Sequence, residues 1–140
     1  MSVYVVGVDG SDTAAKAAAR AGELAGSTGA AMHVVCAYTG RGTTTTIGVG
    51  SDVYSVSELN MAEQVAEQQV AAYRSSGIRA THAVIDGKPA SVILSEAERV
   101  RAELIVVGNR RMQGVQRVLG AVANEIVHHA PCDVLVVKTV

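Results

Sequence analysis

The sequence predicts an α/β fold, a doubly wound parallel sheet with helices on both faces, on three observations. Apolar, β-branched runs such as Val3 to Val8 lack polar alternation, which marks strands buried on both faces. Segments of helical periodicity separate these runs, and that alternation implies right-handed crossovers onto a parallel sheet. Two strands run straight into glycine-bearing loops, "YVVGVDGS" and "LIVVGNRR", as expected where strand ends open on a ligand crevice.

The elements follow in order. Val3 to Val8 is the first strand, and "DGSDTAAKAAARAGELAGSTG" supplies a turn, Ser11 or Asp12 as N-cap, and helix formers up to the stops at Gly26 and Gly29. Ala30 to Tyr38 reads as the second strand. Thr39 to Ser55 has loop composition, with Ile47, Val49 and Val53 its only aliphatic residues, and a loop of that length is more often functional or disordered than neutral. Ser57 to Ser76 spaces Leu59, Ala62, Val65, Ala66, Val70 and Tyr73 by threes and fours, an amphipathic helix closed by Gly77. Ile78 to Ile85 is the third strand. After "DGKPA", Ala90 to Arg101 aligns Val92, Ile93, Ala97 and Val100 on one helical face, and Leu104 to Val107 is the fourth strand. Gly120 to His129 is the last helix, ended by Pro131 before the strand "CDVLVVKTV".

At 140 residues the chain fits one domain, residues 1 to 140. With 12 Lys and Arg against 13 Asp and Glu, net charge −1, no whole-molecule field recruits nucleic acid or an anionic membrane, so any anion site is local. Trp and Phe are absent, which removes the stacking platforms of single-stranded nucleic-acid binders. Cys36 and Cys132 lie in or beside apolar runs without a zinc-ligand pattern and read as free thiols. The N-terminus has no signal-peptide pattern and no stretch reaches the roughly 20 apolar residues of a membrane span, so a soluble cytoplasmic protein is expected.

The most informative stretch is "LIVVGNRRMQGVQRVLGAVANEI", Leu104 to Ile126. Gly108 ends a strand without a Cβ, allowing either close ligand approach or a turn. From Asn109 to Arg117 the loop carries three arginines, Arg110, Arg111 and Arg117, and no carboxylate. Gly120 and Ala121 then open a helix whose free N–H groups would cradle phosphate oxygens. The competing reading is an ordinary strand-to-helix loop with solvated arginines. Neither G-x-x-x-x-G-K-[ST] nor G-x-G-x-x-G occurs.

"VYVVGVDGSDTAAKAAARA", "HVVCAY", "GKPASVIL" and "LIVVGNRRMQGVQRVLGAVANEIVHHAPCDVLVV" resemble the universal stress protein family over the whole chain. The resemblance implies five parallel strands in order 3-2-1-4-5, a dimer and, in one subgroup, ATP or a related adenine nucleotide, with magnesium for a triphosphate. That subgroup carries G-x2-G-x9-G-[ST]. Here Gly108 matches the first glycine, Arg111 stands at the second, Gly120 comes one residue early, and Ala121 replaces the Ser or Thr; Gly114 has no counterpart in the strict pattern. One lost hydrogen bond to phosphate costs roughly 1.5–3 kcal/mol, a factor of about ten to one hundred in affinity, which Arg110 or Arg111 would offset. Asp9 matches the acidic residue that faces the nucleoside, and its other role is an Asx-turn before the first helix. The remaining nucleotide positions implied are Gly7, Val8, Ala37, Val107, Asn109 and Val122. The alternative is a family member without nucleotide, acting as a dimeric module for an unidentified protein partner.

Other candidates carry less. His128 and His129 point about 100° apart on a helix, a poor metal pair, one expected packed and one exposed. Ser11, Ser91 and Ser95 lack a nucleophile elbow. Lys88 lies on the wrong strand-to-helix unit for a phosphate lysine, and Cys36 reads as core. No general base or metal ligand is evident beyond Asp9, so turnover is expected to be absent or at most slow ATP hydrolysis. In the family order "DVLVVKTV" forms a sheet edge, and Val134, Leu135, Val136 and Val137 leave it apolar, a template for a two-fold homodimer of antiparallel strands.

Overall fold

The computed structural model describes residues 1–39, 48–109 and 120–139, with residues 48–57 as backbone alone. Among the described residues nine elements alternate: β1 (Val3–Gly7), α1 (Asp12–Thr28), β2 (Ala31–Tyr38), α2 (Gly48–Ser75), β3 (Ala80–Asp86), α3 (Pro89–Arg99), β4 (Leu104–Gly108), α4 (Ala121–His129) and β5 (Asp133–Val137). All strand pairs are parallel and the sheet runs β3-β2-β1-β4-β5, the doubly wound arrangement expected. Strand order reverses between β1 and β4. The C-terminal ends of these two strands therefore splay loops to opposite sides and leave a crevice.

The period of two along each strand divides the core between two faces. Tyr4, Val6, Val8, Met32, Val34 and Val106 pack with Ala18 and Ala21 of α1 and Ala66 and Tyr73 of α2. Val5, Val35, Ile105 and Val107 pack with Ile93 and Ala97 of α3 and Ala123 and Ile126 of α4. Burial on both sides is why β1 and β4 read as unbroken apolar runs.

Capping explains most boundaries. Ser11 is the α1 N-cap, its Oγ accepting from Ala14 N at 3.2 Å, and Gly29 closes the helix in the left-handed conformation at φ 80°. The expected stop at Gly26 does not occur, because a glycine inside a helix costs only about 1 kcal/mol where the flanking turns are packed. At the end of α3, Arg101 takes the left-handed position at φ 54° that glycine usually fills, and Ala102 N donates to Ala97 O at 2.9 Å.

Two further expectations are corrected. Residues 48–55, read as loop, begin α2, which runs 28 residues to Ser75. Extending a formed helix costs far less than nucleating one, so glycine and β-branched residues are carried by the strong formers that follow. Residues 40–47 of that stretch lie outside the described residues. His128 and His129 are both exposed, not one packed and one free, with ring centroids 6.5 Å apart.

Candidate functional site

A crevice of about 480 Å³ opens at the carboxyl ends of β1 and β4, a volume within the range of small-molecule sites. Its walls come from six elements and the loops that follow them. Gly7, Val8 and Asp9 continue β1, Val35 and Ala37 come from β2, and Val107 and Gly108 end β4. Ser11, Thr13 and Ala14 belong to the start of α1, Pro89 and Ile93 to α3, and Ala121, Val122 and Ala123 to the first turn of α4. The structure thus gathers Gly7, Val8, Asp9, Ala37, Val107, Gly108, Ala121 and Val122 around one space.

The two wall glycines have different causes. A Cβ on Gly7 would sit 2.5 Å from Ile93 Cδ1, so this glycine lets α3 approach β1. A Cβ on Gly108 would meet Thr139 Cγ2 at 3.4 Å and Thr13 O at 3.5 Å, ordinary contacts. Packing does not require Gly108, and its missing side chain leaves the crevice wall open.

The polar groups cluster at the β1 end. Asp9 Oδ1 accepts from Ser11 N at 2.9 Å, the Asx-turn that the sequence offers, and from Ser11 Oγ at 2.5 Å. Ser11 Oγ also lies 3.2 Å from Thr13 Oγ1. Opposite, α4 starts at Gly120, which has no side chain to cap the helix, so the first-turn N–H groups at Ala121 to Ala123 carry the positive end of the helix dipole toward the crevice. One wall is thus hydroxyl and carboxylate, and the other is apolar with helical N–H donors at its edge.

Two expected positions lie beside the crevice without lining it. Gly120 is buried at the N-cap. Asn109 turns its side chain to the C-terminal segment, Oδ1 accepting from Thr139 N at 2.7 Å and Thr139 Oγ1 at 3.0 Å, while Asn109 N donates to Val137 O at 2.9 Å. This anchors the start of the loop to the end of β5. Arg110, Arg111, Gly114 and Arg117 lie outside the described residues.

Sequence reading missed Ser11, Thr13, Ala14, Val35, Pro89, Ile93 and Ala123 as wall residues. Val35 was within reach, since it precedes Ala37 by two on the same strand face; Pro89 and Ile93 come from a crossover whose position only the fold gives. Also missed was the network beneath Ile93. Glu96, one helical turn on, is buried at 6% exposure; His33 Nε2 lies 2.8 Å from its Oε1, and His33 Nδ1 lies 2.8 Å from Thr81 Oγ1. Arg99 closes on the same carboxylate, Nε to Oε2 at 2.9 Å and Nη2 to Oε1 at 2.8 Å. The Arg99 hydrogen bond outweighs burial and, with that of His33, holds the Glu96 carboxyl at about 2, against an ordinary 4.5. These bonds pin α3 to β2 and β3 and so fix Ile93 in the crevice wall.

Cys36 is buried on β2, and burial, with Asp9 and Glu63 nearby, pushes its thiol up to about 11, the opposite of a reactive thiolate. Cys36 and Cys132 are both free cysteines. Among the described residues no helix is long and apolar enough to cross a membrane.

Residues 3–138 match the model of the universal stress protein family. A Staphylococcus aureus protein bearing the family's name is 33% identical over 95 residues, 63% of this chain, and the chain spans 57% of the length of that relative. A universal stress protein from Archaeoglobus fulgidus is 26% identical, with TM-score 0.76 over 99% of this chain and 94% of its own. A universal stress protein solved in complex with cAMP is 25% identical, with TM-score 0.74 over 99% of this chain and 98% of its own.

Proposed function

The chain belongs to the universal stress protein family, and from that premise we propose that it is a stress-associated regulatory protein of the cytoplasm that binds an adenine nucleotide in the crevice between β1 and β4. The observation that carries the reading is the convergence of Asp9, Gly108 and the uncapped start of α4 on one cavity of about 480 Å³ at the reversal of strand order. The relative solved with cAMP supports the adenine class. In this reading the Asp9 and Ser11 end takes the sugar or base, and the α4 N–H groups, with Arg110 and Arg111, take phosphate. Magnesium would accompany a triphosphate. Among the described residues Asp9 is the only carboxylate on the crevice wall and no histidine lines it, which favours regulated binding over turnover.

Isothermal titration with ATP, ADP, AMP and cAMP, together with assay of nucleotide released from the denatured protein, tests the proposal. Saturable binding of any of the four at submillimolar concentration supports it. No binding at millimolar concentration of all four leaves the second reading, a dimeric interaction module without nucleotide.

A homodimer through β5 belongs to both readings. Among the described residues β5 pairs with β4 alone, and Val134, Leu135, Val136 and Val137 are only half-buried. Val137 O points to β4, where it accepts from Asn109 N, so the peptide groups of Val136 face the open edge. That edge offers its N–H and C=O groups to a second copy.

A further inference from the structure

We propose that Glu63, Glu67 and His82 form a site for a divalent transition-metal ion, zinc being the probe, that ties α2 to the edge strand β3. One carboxylate oxygen from each glutamate and one ring nitrogen of His82 lie within 4.8 Å of one another. Glu63 and Glu67 are four apart on α2 and share a helix face, while His82, in register with Val34, stands on the sheet face that α2 covers. The three donors thus come from two packed elements, and small side-chain rotations bring them to the bond lengths of about 2.0–2.2 Å that zinc takes from nitrogen and oxygen.

Charge and partners favour a cation here. Like charges at this helical spacing repel, and from residue 48 to Tyr73 the helix contains no lysine or arginine to offset them. The first basic residue, Arg74, is committed elsewhere, Nη2 donating to Ala80 O at 2.8 Å. His82 Nε2 approaches Glu63 Oε2 at a long 3.4 Å, and Glu67 has no hydrogen bond or ion pair among the described residues. One imidazole against two carboxylates leaves negative charge uncompensated. The nitrogen donor separates this group from an acidic surface patch and selects zinc-like ions over calcium and magnesium, which prefer all-oxygen shells. Three protein ligands leave at least one position to water.

The test is titration of the full-length protein with zinc chloride at neutral pH in a non-chelating buffer, with thermal unfolding as a second readout. Wild type should take up one equivalent that His82→Ala and Glu67→Gln each weaken by roughly 100-fold or more, beyond the roughly 10–100-fold that outer-shell changes cost. Zinc should raise the unfolding midpoint of wild type and not of either variant, because an ion bound only by the folded chain stabilises it. A His128→Ala, His129→Ala double variant should keep the equivalent. Both test positions are solvent-accessible, so the variants should retain the wild-type circular dichroism spectrum. The proposal falls if wild type takes up no zinc at submillimolar concentration, or if His82→Ala and Glu67→Gln leave the isotherm and the thermal shift unchanged.

Discussion

Replacing Glu96 by glutamine should change how stability responds to acid, by an amount that the structure sets. The folded-state carboxyl titrates at about 2 against an ordinary 4.5, chiefly because Arg99 hydrogen-bonds the charged form, so below 4.5 the unfolded chain binds the proton first. Stability from this group is therefore present above about pH 4.5 and is lost as pH falls toward 2. The full difference corresponds to about 3 kcal/mol, a large share of the roughly 5–15 kcal/mol of a typical domain. On these values roughly a quarter of that difference is gone at pH 4 and more than half at pH 3. Glu96→Gln keeps an oxygen that accepts from His33 Nε2 but lacks the charge, so it resembles protonated wild type at every pH. The assay is urea unfolding of both proteins at pH 7, 4 and 3 at fixed ionic strength. The stability gap should shrink by those amounts as pH falls, with m-values matched. A gap constant from pH 7 to pH 3 would refute the charge-based account. Glu96→Ala should cost more than Glu96→Gln at pH 7, because it also strands the buried His33 Nε2.

Three further outcomes are expected. Gly108→Val should weaken AMP or ATP affinity at least tenfold in calorimetry while shifting the unfolding midpoint little, since its Cβ meets only ordinary contacts; unchanged affinity would remove Gly108 from the site. Arg101→Gly should stabilise the fold by about 0.5–1 kcal/mol in urea, because the left-handed position at φ 54° costs an arginine more than a glycine. Val136→Pro should lower dimer affinity in light scattering or sedimentation yet leave the β4 ladder whole, as that peptide N–H faces the outer edge; a wild-type monomer at micromolar concentration would refute the assembly.

Local physics made much of the architecture legible. Strands covered on both faces must be apolar at every position, so Val3–Gly7 and Leu104–Gly108 announced a parallel sheet. Ser11 and Gly29 marked the ends of α1 because their capping chemistry is short-ranged. The start of α2 was not legible, since whether a helix spreads through "GVGSDVYSV" depends on what it can propagate from rather than on those residues' own propensities. Glu96 was hidden for a different reason. A glutamate on a helix is ordinarily solvated, and its burial depends on His33 and Arg99, one of them 63 positions away and the other exposed on the same helix.

The candidate site divides along the same line between local and distant information. Gly7, Val8, Asp9, Val107 and Gly108 sit at strand ends, where an apolar run giving way to glycine is visible in the chain itself. Pro89 and Ile93 reach the crevice only because α3 crosses the sheet between β3 and β4, and Ile93 reaches it at its observed height only because Gly7 lacks a Cβ 2.5 Å from its Cδ1. The Glu96 network then holds α3 at that height from one turn below. Ile93 therefore connects the two: loosening Glu96 lets α3 move, and the first wall atoms to move with it border the space between Gly7 and Val35. Glu96→Ala should on this argument weaken nucleotide binding through the wall, without touching a ligand, and more strongly than Glu96→Gln at neutral pH. Equal nucleotide affinities in the two variants would separate the network from the crevice.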